Sequence, residues 1–120
     1  GLVVIAEPRD QFNSWLSHQT QPAPQPSTQS AARGQQIFMN GTCVMCHTIS
    51  GTQAGSNIGP NLTHVASRQT IAAATMTNLG DHLAQWISNS QRIKPGNRMP
   101  PHNLSPEDLQ AVIDYIQTLK

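Results

Sequence analysis

An all-α domain is predicted for residues 30–120. Three features predict it. Apolar residues recur at helical spacing in three separate stretches. No strand pattern follows residue 30, and the segments between the helical stretches are broken by proline and glycine, which neither a helix interior nor a central strand tolerates. The first 29 residues stand apart as a short strand, a short helix and a linker.

Taking the chain in order, Leu2, Val3, Val4 and Ile5 form a β-branched, apolar run that continues to Ala6. It is too short to be stable alone, so it is expected to complete a sheet belonging to something else. Glu7, Pro8, Arg9 and Asp10 make a turn. Phe12, Trp15 and Leu16 then stand at i, i+3 and i+4, the spacing of a short amphipathic helix with Pro8 and Asp10 near its start. Residues 19–29 contain no apolar side chain larger than alanine. Pro22, Pro24 and Pro26 favour an extended polyproline II path, which makes this stretch a flexible linker. The domain division is therefore 1–18, the tail of an upstream unit; 19–29, a Pro/Gln-rich linker; and 30–120, the main domain.

The main domain opens with a helix from Ser30 or Ala31 to about Asn40, with Gly34, Ile37 and Phe38 on one face. A helical glycine costs about 1 kcal/mol against alanine, so Gly34 calls for a packing reason, such as close approach of another helix. Gly41 and Thr42 end this helix, and residues 48–61 form a loop containing Gly51, Gly55, Gly59 and Pro60. Between residues 63 and 75, Val65, Ala66 and then Ile71 with three alanines suggest two short helical turns around Arg68. Residues 78–89 read as a helix through the stripe of Leu79, Leu83, Trp86 and Ile87, with Asp81 in its first turn. Residues 90–103 are a loop. The final helix has Ser105 as N-cap, Pro106 at its first position, and Glu107 and Asp108 facing the positive end of the dipole. Leu109, Val112, Ile113, Ile116 and Leu119 form its buried stripe, with Tyr115 on the flank.

Composition narrows the function. With 37% hydrophobic, 4% aromatic and 11% charged residues, the chain is short of core material for its 120 residues, a shortage that a large buried cofactor would relieve. A net charge of +1 implies no nucleic-acid or membrane-surface partner. No apolar run approaches the roughly 20 residues of a membrane-spanning helix, so the chain as given is expected to be soluble. Its start lacks the charged and apolar regions of a signal peptide, so such a peptide is expected to be absent, removed or replaced by upstream sequence.

The chemistry centres on Cys43, Cys46 and His47. Two thiols three apart followed at once by an imidazole match covalent attachment of heme c. On one turn both sulfurs reach the two vinyl groups of one heme while the histidine comes up under the iron. A structural zinc site would need a second ligand pair, which is missing. A thioredoxin-like pair needs a βαβ setting, and a plain disulfide leaves His47 unexplained.

His47 is then the proximal axial ligand, with its other ring nitrogen expected to donate to a backbone carbonyl near Pro60. Of the four methionines, Met45 sits within the attachment turn and Met39 on the preceding helix, where core packing is the simpler role. Met99 is preferred as distal ligand because it lies on a stiff loop between Gly96 and Pro100. Met76 is the alternative, and His64, His82 and His102 keep a bis-histidine heme open. With both axial positions filled by protein, the iron suits electron transfer rather than oxygen or peroxide chemistry. Arg68 and Trp86 are candidate propionate partners, Trp86 being equally well explained as core.

From Ser30 to Lys120 the chain resembles a class I cytochrome c. The resemblance rests on Gly34 and Phe38; on Cys43, Cys46 and His47; on Gly59, Pro60, Asn61 and Leu62; on Met99 and Pro100; and on Tyr115 in a capped last helix. It implies three to five helices around one covalent heme c, first and last helices crossing at the glycine and the aromatic pair, Met99 as distal ligand, and Pro60 beside the proximal histidine. A narrower resemblance covers the rest. Leu2, Val3, Val4 and Ile5 with Phe12, Trp15 and Leu16 are similar to the end of the copper domain of bacterial cytochrome c oxidase subunit II, which in some oxidases carries a fused cytochrome c. His64, Ser67, Arg68, Lys94, Pro95, Gly96 and Asn97 also fit those fused domains.

That resemblance implies a periplasmic or outer-face electron carrier, not itself an enzyme, joined to the membrane only through the parent oxidase. It would take an electron from a donor cytochrome or other small redox protein and pass it to the copper centre of the same subunit, alongside subunit I. The copper ligands would lie upstream, so no copper is expected here. Entry at the heme edge near Val44 and Met45 would be steered by Arg92, Lys94 and Arg98. The alternatives are a free-standing class I cytochrome c carrier and, from another class, a heme sensor or peroxidase-like enzyme whose distal ligand leaves.

Overall fold

The computed structural model describes residues 4–120. Of the stretch expected as a strand, Leu2 and Val3 lie outside the described residues, and residues 4–6 join no sheet. The first helix, α1 (Arg9–Gln19), starts after Pro8 with Asp10 in its first turn and buries no residue. Phe12 and Trp15 pair on its surface at a centroid distance of 5.7 Å.

The core is built by α2 (Gln29–Asn40) crossing α4 (Pro106–Thr118). Both begin on hydroxyl caps, Thr28 accepting from the Ala31 N–H and Ser105 from the Asp108 N–H, which satisfies donors that the first helical turn leaves free. Ala31, Gly34 and Phe38 are the buried face of α2, Gly34 meeting Ala111 and Tyr115 of α4 and Phe38 meeting Tyr115. Gly34 supplies the close approach that its helix position called for: a Cβ there would overlap the Ala111 carbonyl and stand 2.9 Å from Tyr115 Cβ. At the rim, Arg33 pairs with Asp108 and Ser30 donates to Asp114. Such exposed links add about 1 kcal/mol or less each.

Between residues 63 and 75 the expectation of two helical turns is half right. Val65–Ser67 is a single 3-10 turn. The chain then forms a hairpin, β1 (Thr70–Ile71) paired antiparallel with β2 (Met76–Thr77), Ile71 opposite Met76. Ala72, Ala73 and Ala74 turn between the strands in the left-handed region, with φ of 54°, 56° and 64°. Alanine favours right-handed helix, so three alanines suggested one; closure of the hairpin overrides that local preference.

The helix α3 (Gly80–Ile93) runs past the expected end at residue 89. It breaks at Asn89, whose φ of −157° is extended, and restarts with the Asn89 side chain accepting from the Arg92 N–H. Leu83, Ile87 and Ser90 form its buried stripe.

Residues 19–29 are not a free linker. The Ala23 N–H donates to the Ser50 carbonyl at 2.9 Å and Ala23 is buried. His64 lies between the Gln21 carbonyl at Nε2 and the Lys120 carbonyl at Nδ1, with the His18 ring of α1 tilted against it at a centroid distance of 4.9 Å. The stretch is therefore held at its start by the loop around Ser50 and His64, and at its end by the Thr28 cap. Composition measures the average stiffness of an isolated segment and carries no record of such contacts. No helix of the described residues is long and apolar enough to cross a membrane.

Candidate heme-binding site

Cys43–Met45 is a 3-10 turn, continued by N–H bonds from Cys46 and His47 to the Cys43 carbonyl at 3.2 and 3.1 Å. Both thiols are free and half-buried. Burial pushes the Cys43 thiol above its ordinary pKa; its own backbone opposes this and the neighbouring Cys46 reinforces it.

After His47 the chain makes a tight return. The Thr48 carbonyl accepts from the Leu62 N–H, the Ile49 N–H donates to the Ala54 carbonyl, and Ile49 is fully buried. Gly59 donates to the Cys46 carbonyl, which brings the next carbonyl, that of Pro60, to 2.9 Å from His47 Nδ1. Since a carbonyl only accepts, Nδ1 carries the proton and Nε2 is left with a free lone pair. A Cβ on Gly59 would stand 2.9 Å from His47 Cε1 and 3.0 Å from Nδ1, so the imidazole lies against bare backbone. Phe38 flanks the same ring at 6.4 Å and reaches Tyr115 edge-on at 6.0 Å. The Tyr115 hydroxyl is buried without a partner; burial raises its pKa, partly offset by the Gln35 amide, which stops short of hydrogen-bonding geometry.

Met99 lies half-buried against the same apolar core as Cys43, Val44, Leu62, Trp86 and Leu104. The segment after it returns to the attachment turn: His102 donates its N–H to the Ile87 carbonyl, and its Nδ1 is 3.3 Å from Thr42 Oγ1, beside Cys43. Burial lowers the His102 pKa, and the repulsion it would meet from a protonated His47 adds to this. The donor set is thus two free thiols on one turn, an imidazole with its second nitrogen anchored, and a thioether in an apolar setting. These are the soft and nitrogen donors that suit a c-type heme.

The match of the Cytochrome c family model to residues 31–120 decides the family. The chain belongs to the cytochrome c family. Its described helices, with one small hairpin, are the class I cytochrome c fold expected from the sequence, and a cytochrome c domain implies heme c. Among curated relatives, the cytochrome c oxidase subunit 2 of Alkalihalophilus pseudofirmus is 34% identical across 98% of this chain and 34% of its own length. That of a Bacillus species, strain PS3, is 31% identical across 94% of this chain and 33% of its own. The chain thus spans about a third of these two relatives. Cytochrome c2 iso-1 of Magnetospirillum fulvum is 32% identical over 65% of this chain and 91% of its own length.

Other expected site residues of this cytochrome c domain fall in different places. Arg68 is exposed and donates to the Asn61 carbonyl at 2.7 Å, tying down the turn that carries Pro60. Trp86 packs half-buried on the core from α3, and Met76 does so from β2. His82 bonds within its own neighbourhood, to Thr77. His64 is buried, with both nitrogens facing carbonyls, so it is neither a surface histidine nor presented to a metal. Arg92, Lys94 and Arg98 are exposed, Lys94 bonding the Ala72 carbonyl at 3.2 Å. Met45 is 64% exposed at the attachment turn, and Ile58, one residue before Gly59, is 75% exposed.

Sequence reasoning missed Ser90, Gln91 and Asn97, whose side chains bond the backbone around Met99. One signal was present: Ser90 continues the 83–87 stripe at helical spacing, a polar residue at a core position.

Proposed function

We propose that this domain holds one heme c covalently through Cys43 and Cys46, with His47 and Met99 as axial ligands, and carries single electrons. The observation that carries the reading is the 2.9 Å contact between His47 Nδ1 and the Pro60 carbonyl. It fixes the tautomer, turns Nε2 into the one available lone pair, and makes the imidazole a stronger donor. When bound, the heme supplies a one-electron couple, which a thioether ligand shifts toward the reduced state. The chain's own part is to hold both ligand atoms still, so that gain and loss of an electron require little rearrangement, and to keep water from the iron with Phe38, Leu62 and Trp86. Arg68 and Trp86 serve the propionate side.

The subunit 2 relatives support a second layer of the proposal. Here the domain is part of an oxidase subunit II on the outer face of the membrane. It receives electrons from a small donor protein and passes them to the copper centre of the same subunit, with subunit I as a further partner. Residues 1–18 belong to the copper domain's end and residues 30–120 to the cytochrome. The pinned path of residues 19–29 changes the character of the link from a free tether to a fixed placement. Phe12, Trp15 and Leu16, about half exposed, then form the apolar face that meets the upstream domain. The free-standing carrier is the second reading, favoured by the cytochrome c2 relative, which is matched over 91% of its own length by 65% of this chain.

Absorption spectroscopy of the holoprotein tests the site. Alkaline pyridine should give the spectrum of a heme with two thioether links, and Met99→Ala should abolish the weak near-red ferric band of methionine-coordinated heme. Survival of that band overturns the ligand assignment. Ready binding of carbon monoxide by the native ferrous protein would instead favour a sensor or peroxidase-like site. For the oxidase layer, Cys43→Ala with Cys46→Ala in the assembled enzyme should abolish oxidation of the protein donor while a small chemical reductant still drives oxygen consumption. An unchanged rate with the protein donor would refute it.

A further inference from the structure

Met99 lies on residues 94–99, a loop without internal helix or strand. Such a loop would ordinarily leave its backbone groups to water and its position loosely defined. Here the groups are taken by three side chains. Ser90 Oγ donates to the Met99 carbonyl at 2.6 Å, and Ser90 is completely buried. Gln91 Nε2 donates to the Asn97 carbonyl at 2.8 Å and to the Met99 carbonyl at 3.2 Å, while Gln91 Oε1 accepts from the Gly96 N–H at 3.2 Å. Asn97 Oδ1 accepts from the Met99 N–H at 2.8 Å, and Asn97 Nδ2 donates to the Lys94 carbonyl at 2.7 Å. Both backbone groups of Met99 are therefore held, the carbonyl twice.

The break in α3 makes this possible. The extended Asn89 redirects the last turn of the helix, and the Asn89 side chain recaps that turn at Arg92. Ser90 and Gln91 sit just beyond the break. The buried hydroxyl of Ser90 has no reason to occupy a core stripe except to meet a carbonyl there, since an unpaired buried hydroxyl is costly. The far side of the loop is tied as well, through Lys94 to the Ala72 carbonyl of the hairpin turn.

We propose that Ser90, Gln91 and Asn97 are positioning residues for the axial thioether: they lock the Met99 backbone so that its sulfur stays on the iron in both redox states. The proposal rests on Met99 being the distal ligand. None of the three is a proposed iron ligand; each acts through the Met99 main chain. A hydrogen bond of ordinary net strength corresponds to roughly a tenfold change in an equilibrium. Removal of the Gln91 amide should therefore raise the population of sulfur-off ferric protein by about tenfold.

The test uses imidazole, which binds the ferric holoprotein only when the thioether has left. Gln91→Ala and Ser90→Ala should each speed imidazole binding about tenfold and bleach part of the near-red band. Gln91→Glu keeps the acceptor for Gly96 and loses the donor to the two carbonyls, so it should behave like Gln91→Ala. Asn97→Asp retains the acceptor for the Met99 N–H but loses the donor to the Lys94 carbonyl, so it should fall between wild type and Asn97→Ala; these half-exposed variants also serve if the buried Ser90→Ala fails to fold. Unchanged imidazole rates and band intensity in Gln91→Ala and Asn97→Ala, with only unfolding stability lowered, would overturn the proposal. A Met99→Ala protein that keeps the band and the wild-type imidazole rate would instead overturn the ligand assignment itself.

Discussion

Gly34 of α2 lies directly on the Ala111 carbonyl of α4, with no room between them for a methyl group. The helix crossing that builds the core depends on this contact, because Phe38 and Tyr115 meet one turn further along the same interface. Gly34→Ala gains helix propensity but must separate the helices. It should lower the unfolding free energy of the holoprotein by about 2–3 kcal/mol, the usual cost of overpacking, as read by denaturant titration.

Gly59 holds the same relation to the site that Gly34 holds to the core. A Cβ there would meet His47 at Cε1 and Nδ1 and crowd the Cys46 carbonyl at 3.1 Å. Gly59→Ala should displace the imidazole and lengthen its bond to the Pro60 carbonyl. A potentiometric titration should show a changed midpoint potential, together with a stability loss of about 1–3 kcal/mol.

Ala72, Ala73 and Ala74 occupy a conformation that glycine adopts without cost. Ala74→Gly should raise stability by about 1 kcal/mol, since each left-handed alanine carries a penalty of that order. The Ala74→Gly protein is measured against wild type by thermal unfolding, and a lower midpoint would contradict the strain.

The Tyr115 hydroxyl is buried and unpartnered, and its pKa is raised in the fold. As pH climbs through the ordinary tyrosine range, roughly 10, the unfolded chain ionises first and the folded chain holds its proton. Stability contributed by the neutral phenol is therefore present below that range and lost as pH rises through it. Tyr115→Phe should flatten this alkaline fall and, by removing an unsatisfied polar group, leave stability at neutral pH unchanged or higher by about 1 kcal/mol. Denaturant unfolding across a pH series reads both effects.

His64 packs between the carbonyls of Gln21 and Lys120, one ring nitrogen near each, at 3.1 and 2.8 Å. His64→Ala should release residues 19–29 from the domain and speed their cleavage by a nonspecific protease about tenfold, the effect of losing roughly one hydrogen bond from a local opening equilibrium. An unchanged cleavage rate would show that Ala23 and Ser50 hold the segment without it.

The chain's own residues determined what depends on near neighbours. Ser105 and Pro106 start α4 by capping donors within one turn, Leu83 and Ile87 mark the buried face of α3, and Cys43, Cys46 and His47 declare their chemistry through spacing alone. Contacts between distant segments were decided only by the tertiary structure. Ala72–74 look helical until Thr70 pairs with Thr77. Residues 19–29 look free until Ser50 and His64 hold them. Ser90, Gln91 and Asn97 are ordinary polar residues until the break at Asn89 turns them onto the Met99 backbone. Caps and periodicity act over three or four residues and so are written in order along the chain. A hydrogen bond from Ser90 to Met99, or from His64 to Gln21, exists only once the core has placed its two ends together.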